Sequence, residues 1–121
     1  MHDYIISSYK IDLKNKTIEI CAEDAEKKHT CTFLAEGVLT HLFQTVLENN
    51  IILDIYESNI EKFIEENLYV LEKKKQEGWP INYENLEELK VYLNMNEYRY
   101  IKIRCSYGLQ GWILAKYFKI S

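Results

Sequence analysis

Residues 58–77 read SNIEKFIEENLYVLEKKKQE, and they carry the clearest helical pattern in this chain. Ser58, followed three residues later by Glu61, has the spacing of a capping box, which predicts that a helix begins there. Lysines 73–75 suit the negative end of the helix dipole, and Gly78 is typical of a helix end. The apolar side chains that recur at helical spacing and predict the buried face are Ile60, Phe63, Ile64, Leu68 and Leu71.

The segments before this helix alternate with a period of two, which is typical of half-buried strands. Residues 5–13 form the first predicted strand and residues 18–22 the second, with Lys14-Asn15-Lys16 between them as a hairpin turn in which Asn15 takes the positive φ. A third strand is predicted from residue 29 to about Glu36-Gly37. The side chains that we expect on the buried faces are Ile5, Ser7, Tyr9, Ile11 and Leu13, then Ile18, Ile20 and Ala22.

Residues 38–47 fit two interpretations. Several apolar side chains fall on one helical face, but Val38, Thr40, Thr45 and Val46 are β-branched, which favours a strand. Asn49-Asn50 would then form a hairpin turn before a further strand-like run at 51–56. We predict a strand over residues 38–47, with a helix as the alternative.

Elements of the same two kinds follow residue 77. Asn85 and Glu88 have a capping spacing and predict a second helix over about 83–94. Two strand-like runs, 98–105 and 112–120, surround a loop at 106–111. The sequence therefore predicts a single α+β domain over residues 1–121, in which an antiparallel strand meander and two helices precede a C-terminal β-hairpin that completes the sheet.

Composition excludes several classes of protein. With 121 residues, 47% of them hydrophobic and 28% charged, the chain resembles ordinary globular domains and neither disordered nor low-complexity proteins. The longest apolar run, Trp112 to Ala115, is far too short to span a bilayer. The first residues lack the pattern of a secretory signal, so we expect a cytoplasmic protein. Cys21, Cys31 and Cys105 are odd in number and widely spaced, which favours small core side chains over disulfides.

No constellation in the sequence indicates catalysis or a metal site. His29, Cys31 and Cys21 would lie on neighbouring strands, but structural zinc sites usually take a second close pair of ligands that this chain does not supply. His41 is more typical of a half-buried strand histidine than of a catalytic base. The adjacent carboxylates Glu65-Glu66 and Glu87-Glu88 lie on the outer sides of predicted helices. We therefore predict neither enzymatic activity, nor a cofactor, nor a metal.

Charge is distributed unevenly along the chain. Residues 48–97 hold twelve acidic and five basic side chains, whereas residues 98–121 hold five basic and no acidic ones. An acidic face of this kind suits a basic protein partner, because opposed charge fields accelerate and select encounters. It argues against nucleic acid as the ligand of that face. Exposed tyrosines and a sheet edge would also permit a homodimer.

Two other functions stay open at this stage. The C-terminal hairpin interleaves aromatic and basic side chains, which is typical of proteins that stack RNA bases. A small ligand held between the sheet and the helices is the other possibility. The residues of the basic aromatic hairpin are Tyr98, Tyr100, Tyr107, Trp112 and Tyr117 with Arg99, Lys102, Arg104, Lys116 and Lys119.

Several runs resemble a known group of proteins. Residues 36–38, His41, Phe43, residues 50–55 and the ending at residues 107–115 are similar to those of small single-domain bacterial immunity proteins that accompany polymorphic toxins. The resemblance covers most of the chain. It implies a non-enzymatic inhibitor that binds a toxin domain and blocks its active site.

An acidic, tyrosine-bearing surface suits such a partner, because a nuclease toxin is cationic and aromatic anchors contribute much of an interface's binding energy. The residues that we predict to contact the partner are Asp54, Glu57, Glu61, Glu65, Glu66, Tyr69, Glu84, Glu87 and Glu88.

Overall fold

A computed structural model describes residues 4–24, 26, 28–44, 51–107 and 110–121. The described residues form eight strands, three α-helices and one 3-10 turn, which confirms the predicted α+β class. In chain order these are β1 (Tyr4–Asp12), β2 (Thr17–Glu23), β3 (Thr30–Glu36), β4 (Thr40–Gln44), β5 (Ile51–Glu57), α1 (Ile60–Glu66), α2 (Leu68–Lys74), the 3-10 turn (Lys75–Glu77), α3 (Leu86–Met95), β6 (Arg99–Tyr107), β7 (Gln110–Ala115) and β8 (Tyr117–Ile120).

The antiparallel sheet curls into a ring. Its strand order is β4-β7-β6-β5-β1-β2-β3-β8, so that β4 is at one end and β3 is next to the other end, although only a short segment separates them in the chain. The same holds for β7 and β8, which are joined by Lys116 alone. When β3–β4 and β7–β8 are followed as two bent strands, every strand pairs with a neighbour on each side and β5 returns to β1.

The bend in both long strands lies at one corner. Gly37 takes a φ of 63°, a left-handed conformation that glycine adopts without strain. The amide of Lys116 donates to the carbonyls of Glu36 and Gly37, at 3.1 and 3.3 Å, and the amide of Leu39 donates to Leu114. The two bent strands therefore stay hydrogen-bonded to each other through the corner.

The inside of the ring holds one of two hydrophobic cores, here called the inner core. It draws side chains from β2, β3, β5, β6 and β7, and several of them are completely buried. Burying one such large apolar side chain contributes roughly 1.5–3 kcal/mol. The inner core consists of Ile18, Ile20, Ala22, Phe33, Ala35, Val38, Ile52, Ile101, Ile103, Cys105, Ile113 and Ala115.

The second core, here called the outer core, lies between the helices and the outside of β6 and β7. Phe63 occupies its centre, with ring centroids 5.3 Å from Tyr100 and 5.1 Å from Trp112 in edge-to-face geometry. Such aromatic pairs add to the energy of area burial alone. The outer core consists of Ile60, Phe63, Leu71, Leu89, Leu93, Tyr100, Trp112 and Leu114.

Of the side chains predicted for the buried face of β1, only Ile11 packs against the inner core, and Tyr9 is 45% exposed. A bulge between Ile6 and Ser8 shifts the register with β2. Tyr4 and Ile6 therefore turn toward the inner core in place of Ile5 and Ser7, and Ile11 packs against it as predicted. Leu13 is 80% exposed in the turn, where Lys16 and not Asn15 takes the positive φ.

The strand predicted within residues 38–47 is present as β4, but the predicted hairpin with the next strand is wrong. β4 pairs with β7, from Thr40 opposite Leu114 to Gln44 opposite Gln110, whereas β5 pairs with β1 and β6. The predicted turn at Asn49-Asn50 lies outside the described residues. The run 112–120 is likewise two strands, because the chain bends at Lys116.

The first predicted helix differs from the structure at its start and its middle. Asn59, not Ser58, caps it: the Asn59 side chain accepts from the Lys62 amide at 2.8 Å, while the Ser58 amide donates to Tyr100. The helix then breaks at Asn67, and Leu68 is 41% exposed because the break turns it away from the core. The predicted end at Gly78 and the Asn85 cap of α3 are confirmed.

We expect Gly111→Ala to destabilise the fold by about 1–3 kcal/mol, the usual cost of overpacking. A Cβ at this position would press on the Leu42 carbonyl and lie 2.7 Å from the Phe43 ring, because β4 and β7 approach closely there. Urea unfolding measures the change. Ser8→Ala, at an exposed strand position, serves as the control and should stay within about 0.5 kcal/mol; equal stability of the two variants would contradict the close approach.

Candidate functional site

The outside of β4, β7, β6 and β5 is arranged in rows of paired side chains. One row runs through Leu42, Trp112, Lys102 and Tyr56, in which each residue pairs with the next across neighbouring strands. The next row, farther from the helices, runs through Gln44, Gln110, Arg104 and Asp54. The rows change from apolar under the helices to polar beyond them.

A groove of about 540 Å³ follows this change from apolar to polar. The junction between α1 and α2 forms its wall, and the outside of β5, β6, β7 and β4 forms its floor. This volume is within the range of small-molecule sites. The wall consists of Glu66, Asn67, Tyr69 and Val70, and the floor of Leu42, Gln44, Tyr56, Tyr100, Lys102, Ile103, Arg104, Gln110, Gly111 and Trp112.

Asn67 anchors the wall of the groove to its floor. This residue is only 7% exposed, and its carbonyl oxygen accepts from the Trp112 indole at 3.0 Å. Its amide nitrogen donates to the Phe63 carbonyl at 2.9 Å and lies 3.5 Å from the Tyr100 hydroxyl. The helix break is thus held open by hydrogen bonds that satisfy a buried polar side chain.

Glu66 and Lys102 continue this network toward solvent. The Tyr100 hydroxyl donates to Glu66 Oε1 at 2.8 Å, and Lys102 Nζ lies 2.9 and 3.0 Å from the two Glu66 oxygens. The hydrogen bond from Lys102, followed by that from Tyr100, lowers the pKa of Glu66, and the same pairing raises the pKa of Lys102. Burial and the bond to Glu66 raise the pKa of Tyr100, which keeps its hydroxyl protonated.

One feature of the sequence points to Asn67. It occupies a position of the apolar stripe, four residues after Phe63 and four before Leu71, where a polar side chain requires a buried partner. Its indole partner on β7 could not be identified from the sequence, because the pairing depends on how the helix crosses the sheet. The glutamines of the floor carried no signal.

The predicted acidic residues of α1 are paired with lysines. Glu61 accepts from Lys90 of α3 at 3.0 Å, which lowers the pKa of Glu61, and Glu65 lies 3.5 Å from Lys62. Glu66 pairs with Lys102 within the groove wall. This surface is therefore a mixed-charge surface, in contrast to the purely acidic one that the sequence alone predicts.

The other predicted contact residues lie on different surfaces. Tyr69 is 69% exposed at the groove, with Lys73 Nζ 4.5 Å from its ring centre. Asp54 lies opposite Arg104 on the floor side of β5, whereas Glu57 lies opposite Ile101 at the end of that strand. The structure therefore brings Glu66, Tyr69 and Asp54 to the groove region and places Glu57 apart from them.

Helix α3 and the residue before its cap carry the last three predicted residues and an apolar patch that the sequence analysis missed. Glu87 and Glu88 are exposed in the first turn of α3, and Glu84 is exposed just before the helix. One and two turns further on, Val91 is 46%, Tyr92 38% and Met95 79% exposed. This outer face of α3, from Glu84 to Met95, is called the α3 face below. Its signal was the apolar content of residues 91–95 outside the Leu86-Leu89-Leu93 stripe.

The basic aromatic hairpin is divided between two sides of the sheet. Tyr100 and Trp112 are 1% and 5% exposed in the outer core, so neither ring offers a face on which a base could stack. Arg99 points to the other side of β6 from Lys102, and its guanidinium lies 5.8 Å from the Phe118 ring. The Tyr107 side chain and the turn at Gly108-Leu109 lie outside the described residues.

The histidines and cysteines lie apart from the groove. His41 is half-buried with its ring 5.0 Å from Phe43, and burial lowers its pKa. Cys105 belongs to the inner core, where burial raises the pKa of its thiol to about 11, but Cys21 and Cys31 are only half-buried. The prediction of three core cysteines is thus correct for Cys105 alone. Among the described residues, no three His, Cys, Asp or Glu side chains are grouped so as to hold a metal ion.

In the described part of the chain, none of the helices has the length and apolarity needed to cross a membrane. Comparison with known proteins finds no matching family model, no similar curated protein and no similar solved structure.

We expect Asn67→Leu to lower the free energy of unfolding by about 1–3 kcal/mol, because it leaves the buried Trp112 indole N–H without an acceptor. Trp112→Phe removes that donor. The loss of stability in the double variant should therefore be smaller than the sum of the losses in the two single variants. Urea unfolding should give a coupling of about 1 kcal/mol or more. Strictly additive losses would show that the hydrogen bond does not hold the groove wall.

We expect Glu66 to make stability depend on pH in the acidic range. Its pKa is lower in the folded chain than the ordinary 4.5, so its contribution is present above that value and is lost as the pH falls through the lowered one. The stability difference between the wild type and Glu66→Gln should shrink as the pH falls below that ordinary value. Lys102→Gln removes the principal cause of the lowered pKa and should weaken this dependence; an unchanged dependence in that variant would contradict the assignment.

Proposed function

We propose that this chain is a non-catalytic protein-binding domain of the immunity type, which acts in the cytoplasm by covering a basic partner. The resemblance to immunity proteins makes a cationic toxin domain the partner in this proposal. The α3 face carries the proposal, because it joins an acidic end to exposed apolar side chains on one helix.

The two ends of the α3 face suit the two stages of association. Residues 84–97 hold four acidic side chains and one basic one, Lys90, which pairs with Glu61. Glu84, Glu87 and Glu88 thus supply a negative field that attracts a basic partner and raises the association rate. Val91, Tyr92 and Met95 supply apolar contact area once the partner arrives.

Helix α3 is anchored on its inner side and at its first turn, which favours recognition without rearrangement. Leu89 and Leu93 are completely buried in the outer core, and Asn85 caps the helix by accepting from the Glu88 amide at 2.9 Å. The Tyr92 and Tyr98 rings stack with centroids 6.4 Å apart, which ties the helix to the strand that follows. A preformed surface loses little conformational entropy on binding.

A pull-down from a lysate of the source organism, followed by mass spectrometry, tests this function. The tagged wild type should retain one basic protein that high salt releases. Recovery should fall about tenfold or more for Glu84→Gln/Glu87→Gln/Glu88→Gln, which removes the attracting charge, and for Val91→Ser/Met95→Ser, which removes the apolar contact.

The matched control removes three exposed carboxylates elsewhere, by Glu19→Gln/Glu26→Gln/Glu36→Gln on β2, β3 and their connection. This variant has the same net charge as the α3 charge variant and should retain the partner fully. Equal recovery by wild type and both α3 variants, or an equal loss in the control, would contradict the proposal. Circular dichroism confirms that each variant is folded.

A homodimer remains a further prediction. In the described part of the chain β4 pairs only with β7 and β8 only with β3, so each has a second edge that a copy could extend.

A further inference from the structure

We propose that the groove between the α1–α2 junction and the outside of the sheet is a binding site for a small aromatic carboxylate. This site is distinct from the α3 face and would operate whether or not that face binds a protein. It has a cationic, polar end at Arg104 and an aromatic, apolar end beneath Tyr69 and Val70. A ligand with a carboxylate and a ring joined by a short linker matches both ends.

The cationic end is formed by Arg104 and the carboxamides beside it. Arg104 is exposed on the floor and pairs in register with Gln110, which pairs with Gln44. The planar guanidinium presents parallel N–H groups that match the two oxygens of a carboxylate. The Gln110 carboxamide donates to the Cys105 carbonyl at 3.3 Å and has one further N–H, and the Gln44 carboxamide lies two strand spacings of roughly 4.8 Å each from Arg104.

Lys102 does not compete for the ligand, because an ion pair with Glu66 neutralises its charge. Both oxygens of Glu66 lie within 3.0 Å of its ammonium group. Tyr56, which pairs with Lys102 across β5 and β6, contributes after Glu66 to the raised pKa of Lys102. The Glu66–Lys102 pair is therefore neutral overall, which leaves Arg104 as the charge that an anion meets on the floor of the groove.

The aromatic end is formed by the wall and the covered part of the floor. Tyr69 is 69% exposed at the rim, while Val70, Leu42 and the small exposed part of Trp112, 5% of the residue, line the space below. Lys102 and Arg104 are two residues apart on β6, so the backbones of the covered row and of the Arg104 row lie roughly 7 Å apart along the strand. This separation suits an arylacetate whose ring lies against the apolar end while its carboxylate reaches Arg104.

Asp54 allows a second test of whether charge near Arg104 governs the binding of a carboxylate. It lies opposite Arg104 on β5, away from Gln110, and it is the acidic neighbour that opposes an anion there. Removing this charge by Asp54→Asn should tighten the binding of a carboxylate, whereas Arg104→Gln should weaken it. A groove that selected its ligand by shape alone would respond to neither charge.

Titration with phenylacetate, followed by ¹⁵N–¹H NMR, tests the site. Resonances of Arg104, Gln110 and Tyr69 should shift in a saturable manner at millimolar concentration or below. Affinity should fall about tenfold or more in Arg104→Gln, the loss expected for a charge-assisted bidentate contact. Phenylacetamide has the same shape without the charge. It should bind to the wild type no more tightly than phenylacetate binds to Arg104→Gln.

Arg99→Gln is the matched control, because it removes the same kind of charge from the same strand on the opposite side of the sheet. It should leave the affinity for phenylacetate unchanged. Absence of saturable shifts at the groove, equal binding of phenylacetamide, or an equal loss in Arg99→Gln would each overturn the proposal.

The same titration distinguishes two sources of the ligand chemistry. Acetyl-Ala-Ala-Phe carries an aromatic ring and a carboxylate at a peptide C-terminus, whereas phenylacetate is a free small acid. Tighter binding of the peptide would identify a C-terminal segment as the natural source, and tighter binding of phenylacetate a free acid. Both results support a carboxylate site at Arg104.

Discussion

The central parts of strands β6 and β7 are buried on both faces, and the rest of the structure depends on this constraint. Ile101, Ile103 and Ile113 face the inner core, while Tyr100 and Trp112 face the outer core. An antiparallel strand usually alternates apolar and polar faces, with one side in water. Here the second face is covered by the helices, so the hairpin joins two cores that would otherwise be separate.

The outer core is more polar than the inner one, and this difference creates the groove. A tyrosine and a tryptophan bring an O–H and an N–H into the outer core, and both groups require partners when they are buried. Asn67 and Glu66 provide these partners only because the helix breaks between α1 and α2. The break, the groove wall and the ion pair at the rim therefore all follow from the burial of the Tyr100 O–H and the Trp112 N–H.

Local patterns in the sequence predicted the elements well and their partners poorly. The Asn85 cap, the Gly78 helix end and the buried face of β2 depend on neighbouring residues, so a short segment specifies them. The β1 bulge and the pairing of β4 with β7 depend on closing the ring, which no short segment encodes. Asn59 and not Ser58 caps the helix, because the Ser58 amide donates to the Tyr100 carbonyl on the neighbouring strand.

The residues of the candidate site also fall into two groups, those that a local pattern in the sequence identifies and those that depend on tertiary contacts. The acidic residues of α3 could be identified from composition, because exposed carboxylates at a helix start need no tertiary partner. Those of α1 could not be interpreted in this way, since Lys90 and Lys102 come from distant parts of the chain. The polar floor of the groove follows from strand register, and register across four strands is a property of the complete sheet.

The bent strands impose an order on folding. Phe33 pairs with Ile120, and the last residue, Ser121, exchanges two backbone hydrogen bonds with Thr32. These contacts join sequence positions from the first and last thirds of the chain, and such non-local contacts form slowly because the intervening loop must close first. On the ribosome, β3 cannot form this pairing until β8 has emerged. The outer edge of β3 therefore lacks its partner strand until residues 117–121 have been synthesised.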